Sequence, residues 1–333
     1  MGGNLFSSKR INQEEYNTLS AEVLEIIKNK GHAHSHVAIP HTFKDKKDYG
    51  DIDVCLEIPK FTTNEIMSMF SIPREDISWN SSVASLKYKD FQIDLCFFPS
   101  EDLQSAINYM QFGDLSNMVG VICSQALGMR YTHRGLVAPI RLKKEDMLGE
   151  VVICRDIERI FDFIDLDYYQ WDKGFNNENE TFEWISRSKY FNKKYFAFDE
   201  LNHQNRTRNR KRAMYSRFVT WLEDKTFENN YESDSHNKVD HIWRSVLAFG
   251  WWLNDAVPFI KERERNIAAH NKWNAEDIIR LTGKTGKDLG NCIAGFKKSL
   301  DARRFNNYTS YILNYSKEEI ENEFMKWYKT FNV

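Results

Sequence analysis

Asp51 and Asp53, two residues apart in Tyr49-Gly50-Asp51-Ile52-Asp53-Val54-Cys55-Leu56, have the type and spacing to do chemistry. In an extended strand, residues i and i+2 share a face, so the two carboxylates project together while Ile52 and Val54 point into a core. Asp94 follows about forty residues later in Phe91-Gln92-Ile93-Asp94-Leu95-Cys96-Phe97-Phe98, a second strand-like run. Pairing beside the first strand, it brings in a third carboxylate. Converging carboxylates repel one another unless cations sit among them, and hard oxygen ligands select Mg²⁺ or Mn²⁺. Two such ions, ~3.5–4 Å apart, activate an attacking hydroxyl and stabilise a leaving phosphate oxygen, which requires carboxylates on rigid elements. The bland alternative is three satisfied surface aspartates, since Asp-x-Asp also occurs in turns and calcium loops.

The flanking sequence predicts an α+β scaffold, a mixed β-sheet flanked by helices. Over residues 13–30, Tyr16, Leu19, Val23, Leu24, Ile26 and Ile27 recur at helical spacing, and Gly31 stands where a helix would stop. Residues 36–39 read as a strand, 44–48 as a charged hairpin-like loop, and 83–88 with 91–98 as a hairpin turning at Lys89-Asp90. Helices are expected from Glu101 and from Asp114, where Leu115, Met118, Val119 and Ile122 form an apolar stripe. Short strands at 129–132, 137–142 and 150–153 complete this half. Beyond residue 155 helical stripes take over, beginning with Ile157, Ile160, Phe161 and Ile164. Helices are expected near 239–265, 275–282, 288–300 and 317–330, the last opened by a capping box of Ser316 and Glu319. Residues 223–238, rich in Asp, Glu, Asn and Ser, read as a mobile linker or loop. The expected domains are 1–154 and 155–333, the second mainly helical.

Composition narrows the function classes. A chain of 333 residues with 41% hydrophobic residues favours two folded domains. Its net charge of −2 means that nucleic-acid binding must come from a local patch. The one concentrated basic stretch is Arg206, Arg208, Arg210, Lys211 and Arg212, with Tyr215 and Trp221 as stacking partners for bases, unless the run is simply a solvated helix face. Five scattered cysteines without a C-x-x-C pair argue against a disulfide framework and a structural zinc site. His32, His34 and His36 alternate on one strand face but read as solvent-facing or packing residues. With no basic-then-apolar leader and no apolar run of ~20 residues, the expectation is a soluble, cytoplasmic protein without membrane contact. Oligomeric state is not legible.

Gly50-Asp51-Ile52-Asp53-Val54 together with Ile93-Asp94-Leu95 resembles the palm of the DNA polymerase beta superfamily of nucleotidyltransferases. In the family X polymerases a Tyr-Phe-Thr-Gly-Ser-Asp-x-Phe-Asn type segment and a Lys-Gly-Phe-type strand follow. This chain has Tyr109-Met110-Gln111-Phe112-Gly113-Asp114-Leu115-Ser116-Asn117, then Arg134-Gly135-Leu136. The resemblance covers roughly residues 33–142. It implies that Asp51, Asp53 and Asp94 hold two Mg²⁺ or Mn²⁺ ions, that Tyr109 lies by the nucleotide sugar, and that Asp114 and Asn117 face the base. Asp114 also reads as a helix N-cap, and Tyr109 as core. The superfamily's Gly-Ser triphosphate grip is missing upstream of Gly50; Thr42 can supply a hydroxyl there and Lys44 a charge.

The acceptor must be read from the second half. Residues 274–290 are loosely similar to the helix-Gly-helix segment of CCA-adding enzymes and bacterial poly(A) polymerases, although two glycine-capped helices produce much the same pattern. The expected activity is transfer of NMP from an NTP, ATP among the candidates, to a 3′-hydroxyl of RNA, with tRNA one such acceptor. The alternatives are a family X-like DNA polymerase, nucleotidylation of a protein or small molecule, and a catalytically silent nucleic-acid-binding protein.

Overall fold

The computed structural model describes residues 5–331 except 7, 31–35, 144–145, 229, 235–237, 239–240, 243, 246–247, 250–252 and 303–306. Its first part comprises α1 (Gln13–Lys30), β1 (Val37–Ala38), β2 (Asp51–Glu57), α2 (Thr63–Phe70), β3 (Ile77–Asn80), β4 (Val83–Tyr88) and β5 (Phe91–Phe98). The five strands form a mixed sheet in the order β1-β2-β5-β4-β3, in which β2 and β5 run parallel and the other neighbours antiparallel.

Alternation along the strands separates packing from chemistry. Ile52, Val54 and Leu56 of β2 and Phe91, Ile93 and Leu95 of β5 are fully buried in one core with Leu19, Val23 and Ile27 of α1 and Ile66 and Phe70 of α2. Each such side chain contributes about 1.5–3 kcal/mol on burial, so this face fixes the register. The opposite face is left to Asp51, Asp53 and Cys55 on β2 and to Gln92, Asp94 and Cys96 on β5. Lys89 and Asp90 both take positive φ, 51° and 61°, as the expected two-residue hairpin demands.

Two elements escape the periodicity reading. Helix α2 is only eight residues long, and its signal is a capping box in which Thr62 and Glu65 exchange bonds. Strand β3 is a four-residue edge beside β4.

The chain continues through α3 (Ser100–Met110), α4 (Leu115–Gln125), β6 (Arg130–Thr132), β7 (Gly135–Lys143) and β8 (Asp146–Cys154), the last three forming a second sheet. Gly135 has φ 101°, and an added Cβ would lie 2.2 Å from the Cys154 carbonyl oxygen, so only glycine fits that turn. Described helices follow at α5 (Ile157–Phe163), α6 (Tyr168–Lys173), α7 (Glu178–Ser186), α8 (His203–Asn209), α9 (Ala213–Glu223), α10 (Leu253–Lys272), α11 (Ala275–Thr282), α12 (Gly286–Ala302), α13 (Tyr308–Asn314) and α14 (Lys317–Phe331). The fold is therefore an α+β domain followed by a mainly helical one.

The chain divides into two compact units, one formed by Met1–Pro139 with Glu150–Trp252 and the other by Ile140–Gly149 with Leu253–Val333. The change of secondary-structure type near residue 155 and this division fall at different places. In the second unit Trp273, Phe296, Leu300, Phe324 and Trp327 make the core, and the expected Ser316–Glu319 capping box opens α14. Gly283 and Gly286, at φ 68° and 55°, join α11 to α12 with open space where a Cβ would stand. Glycine capping alone accounts for that geometry. The stretch expected as a mobile linker makes long-range bonds at Lys225, Tyr231 and Ser233. The Tyr231 amide donates to Phe191 O (3.0 Å), and Ser233 Oγ donates to Ala126 O (2.9 Å). Polar composition predicted exposure and gave no sign of these long-range bonds.

Candidate functional site

Strand register builds the site. Asp53 sits directly opposite Asp94 across the parallel β2–β5 pair, and Asp51 opposite Gln92. One carboxylate oxygen from each of Asp51, Asp53 and Asp94 lies within 4.8 Å of the others, the one group of three or more such side chains among the described residues. The carboxylates are half-buried, and all ligand atoms are hard oxygens, a donor set that suits Mg²⁺ or Mn²⁺ rather than zinc.

Gln92 holds the third carboxylate in place. It is 6% exposed, its Nε2 lies 3.0 Å from both Asp94 oxygens, and its Oε1 accepts from the Leu5 amide at 3.1 Å. We expect Gln92→Leu to weaken Mn²⁺ binding by about 10- to 100-fold, the usual effect of losing an outer-shell partner. Isothermal titration with Mn²⁺ checks this, and an unchanged affinity contradicts it.

Electrostatics show why the cluster calls for cations. Burial, reinforced by Asp51 and then Asp94, pushes the Asp53 carboxyl up to about 7. Burial followed by Asp94 likewise raises Asp51. Lys46 is the nearby counter-charge: burial lowers its pKa, while Asp51 and Asp53 pull it back up. Its Nζ lies 4.4 Å from the centroid of the Tyr49 ring, which itself stacks on Tyr16 at 3.8 Å.

Thr42 reaches this wall, its Oγ1 lying 3.4 Å from the Tyr49 hydroxyl. Gly50 is buried at the entry to β2. Lys44 turns elsewhere: its amide donates to Phe175 O (3.1 Å), and its stem runs past Gly174. Lys46, Gln92 and Tyr16 were missed by sequence reasoning. Gln92 carried a signal, because it lies two residues before Asp94 on the same strand face. Lys46 did not stand out among the lysines of its loop.

The remaining predicted residues each meet a different partner. Tyr109, half-buried on α3, packs 5.4 Å from the Tyr131 ring. Asp114 occupies the N-cap position of α4 but bonds no first-turn amide; its carboxylate pairs with Arg212. Asn117 Nδ2 donates to Asn209 Oδ1 at 3.0 Å. Asp114 and Asn117 therefore anchor the basic segment.

Within that segment, Arg206 donates to the carbonyls of Phe198, Asp199 and Leu201 and is committed to the fold. Arg208, Arg210 and Lys211 are exposed. Tyr215 is fully buried, with its hydroxyl donating to Phe196 O (2.9 Å), so it cannot stack on a base. Trp221 is half-buried and stacks on Phe218. His36 is exposed, with Nδ1 3.4 Å from Glu57, whereas His32 and His34 lie outside the described residues. All five cysteines are free and buried, in keeping with the absence of a disulfide framework.

No family model matches the chain, and no curated protein matches it. What stands is a mixed β-sheet flanked by helices and carrying a clustered Asp51-Asp53-Asp94 triad, compatible with a nucleotidyltransferase-like fold and with two-metal chemistry. Among the described residues no helix is long and apolar enough to cross a membrane.

Proposed function

We propose that this chain is a metal-dependent nucleotidyltransferase that moves NMP from an NTP to a 3′-hydroxyl, with RNA favoured over DNA as acceptor. The observation that carries the reading is the convergence of Asp51, Asp53 and Asp94, with oxygens within 4.8 Å on two adjacent parallel strands. These three residues would hold the ions. When bound, two Mg²⁺ or Mn²⁺ ions supply Lewis acidity at the attacking hydroxyl and the leaving phosphate oxygen. Gln92 fixes the orientation of Asp94. Lys46, whose charge acts on Asp51 and Asp53, takes the role of triphosphate counter-charge together with Thr42 and the backbone at Gly50. Residues 1–154 would carry the transfer chemistry and 155–333 the acceptor, with Tyr109 beside the nucleotide sugar.

Exposed Arg208, Arg210 and Lys211 support the nucleic-acid assignment. Phosphate contacts of this kind are indifferent to sequence and screened by salt. An Arg208→Ala/Lys211→Ala variant is expected to bind all single-stranded RNA sequences more weakly and to flatten the slope of log K against log salt by about 1.4, for two phosphates at ~0.7 each. An unchanged slope removes these residues from the acceptor path.

The activity is tested by incubating the protein and an Asp51→Ala/Asp53→Ala variant with each labelled NTP or dNTP and Mg²⁺ or Mn²⁺. The acceptor panel is tRNA, single-stranded RNA, primer-template DNA and protein alone. Label on RNA with wild type only is the expected result. Equal label in both proteins, or none under any condition, ends the enzyme reading. Preference for dNTP on primer-template replaces RNA by DNA as acceptor.

A further inference from the structure

A cleft of about 440 Å³ begins at His41, one residue before Thr42, and its lining differs in chemistry from the acid cluster. It also lies close to that cluster in the fold. The Phe112 amide donates to His41 O (3.0 Å), and Met110 packs its sulfur 3.6 Å from Cys55, two residues beyond Asp53 on the same strand face.

Two buried carboxamides form part of the lining. Gln111 is 6% exposed, and its side chain makes no hydrogen bond among the described residues. Asn108, equally buried, accepts from Gln104 Nε2 at 3.1 Å, while its own amide nitrogen has no described partner. Neither carboxamide spends its full bonding capacity within the fold and both line the cleft, so each has a donor or acceptor to offer a ligand there. Tyr168, half-buried in the lining and stacked on the buried Trp171 at 6.0 Å and 29°, contributes an aromatic surface.

We propose that this cleft binds a nucleobase carrying an exocyclic amine, adenine first among them. Flat aromatic surfaces select flat ligands, and a carboxamide presents the paired donor and acceptor that match the N6/N7 edge of adenine. The charges fit an amine better than an anion. Arg155 is neutralised by Asp102, its Nε 2.8 Å from Oδ1, and Asp156 and Asp172 add acceptors to the lining. The volume lies within the ~300–1,000 Å³ of small-ligand pockets. Asp114 and Asn117, occupied by Arg212 and Asn209, leave base recognition to another part of the fold. The identification of this base as that of the substrate NTP rests on the nucleotidyltransferase reading; the binding site itself does not.

The test is isothermal titration with adenosine, guanosine, cytidine and uridine in EDTA, without metal or phosphate. Adenosine is expected to bind, and Gln111→Leu and Gln111→Glu to raise its Kd at least about tenfold. Both variants should keep the wild-type melting temperature within a few degrees, and Asp51→Ala/Asp53→Ala should keep the wild-type Kd. The proposal is overturned if no nucleoside binds, or if wild type and both Gln111 variants bind adenosine alike. Gln111-dependent adenosine binding without NTP turnover leaves the cleft standing and removes the transferase reading. Turnover with an unchanged KM for ATP in Gln111→Leu leaves the transferase reading standing and overturns the identification of this base as the substrate's.

Discussion

An Asp53→Asn protein is expected to transfer NMP at least about 10³-fold more slowly than wild type while remaining folded, because the substitution keeps the shape of the side chain and removes a central ion ligand. Asp53 lies directly opposite Asp94 and within reach of Asp51, so an amide there weakens the hold on both metal positions. In metal-free buffer above pH 7 the variant should melt at or above the wild-type temperature, since it no longer forces a charge between two like charges. Circular-dichroism melting and labelled transfer on the same preparation separate the two effects. Wild-type transfer by Asp53→Asn contradicts the assignment. Inactivity together with a collapsed melt leaves the role of Asp53 to be decided by the direct ion count below.

The second large effect is pH dependence. Asp53 is held at about 7 against an ordinary value of 3.8, chiefly by burial and then by Asp51 and Asp94, so between these values the folded metal-free protein binds a proton that the unfolded chain releases. The stability from this group is therefore full below about pH 4 and is lost as pH rises through about 7. A divalent ion must displace that proton. Its apparent affinity is expected to fall about tenfold per pH unit below 7 and to level off above it. Mn²⁺ titration between pH 5.5 and 8.5 measures this, and thermal stabilisation by Mn²⁺ should grow over the same interval. A flat profile means that the Asp53 proton and the ion do not compete.

Local periodicity made much of this architecture legible. The carboxylate strand, the hairpin at Lys89-Asp90, helix α1 and the convergence of Asp51, Asp53 and Asp94 all follow from alternation of two and from paired glycine-free turn geometry. Residues whose importance depends on distant partners were harder to read. Gln92 acts through Asp94, Lys46 through its charge on Asp51, and Gln111 through a carboxamide that bonds nothing among the described residues. The basic segment illustrates the same limit. In the sequence Arg206 through Arg212 forms one run of charge, but Arg206 is bound to backbone carbonyls and Arg212 to Asp114, leaving Arg208, Arg210 and Lys211 exposed. Tyr215, which the sequence offered as a stacking surface, belongs to the core because its helix buries that face.

The central claim is that Asp51, Asp53 and Asp94 form a divalent-cation site, and the most direct measurement of it counts the ions. Electron paramagnetic resonance of free Mn²⁺, titrated with protein at pH 8 in the presence of a non-hydrolysable NTP, should report two ions bound per wild-type chain and none at this site in Asp51→Ala/Asp53→Ala. Equal binding by the two proteins, or no binding by wild type, contradicts the account.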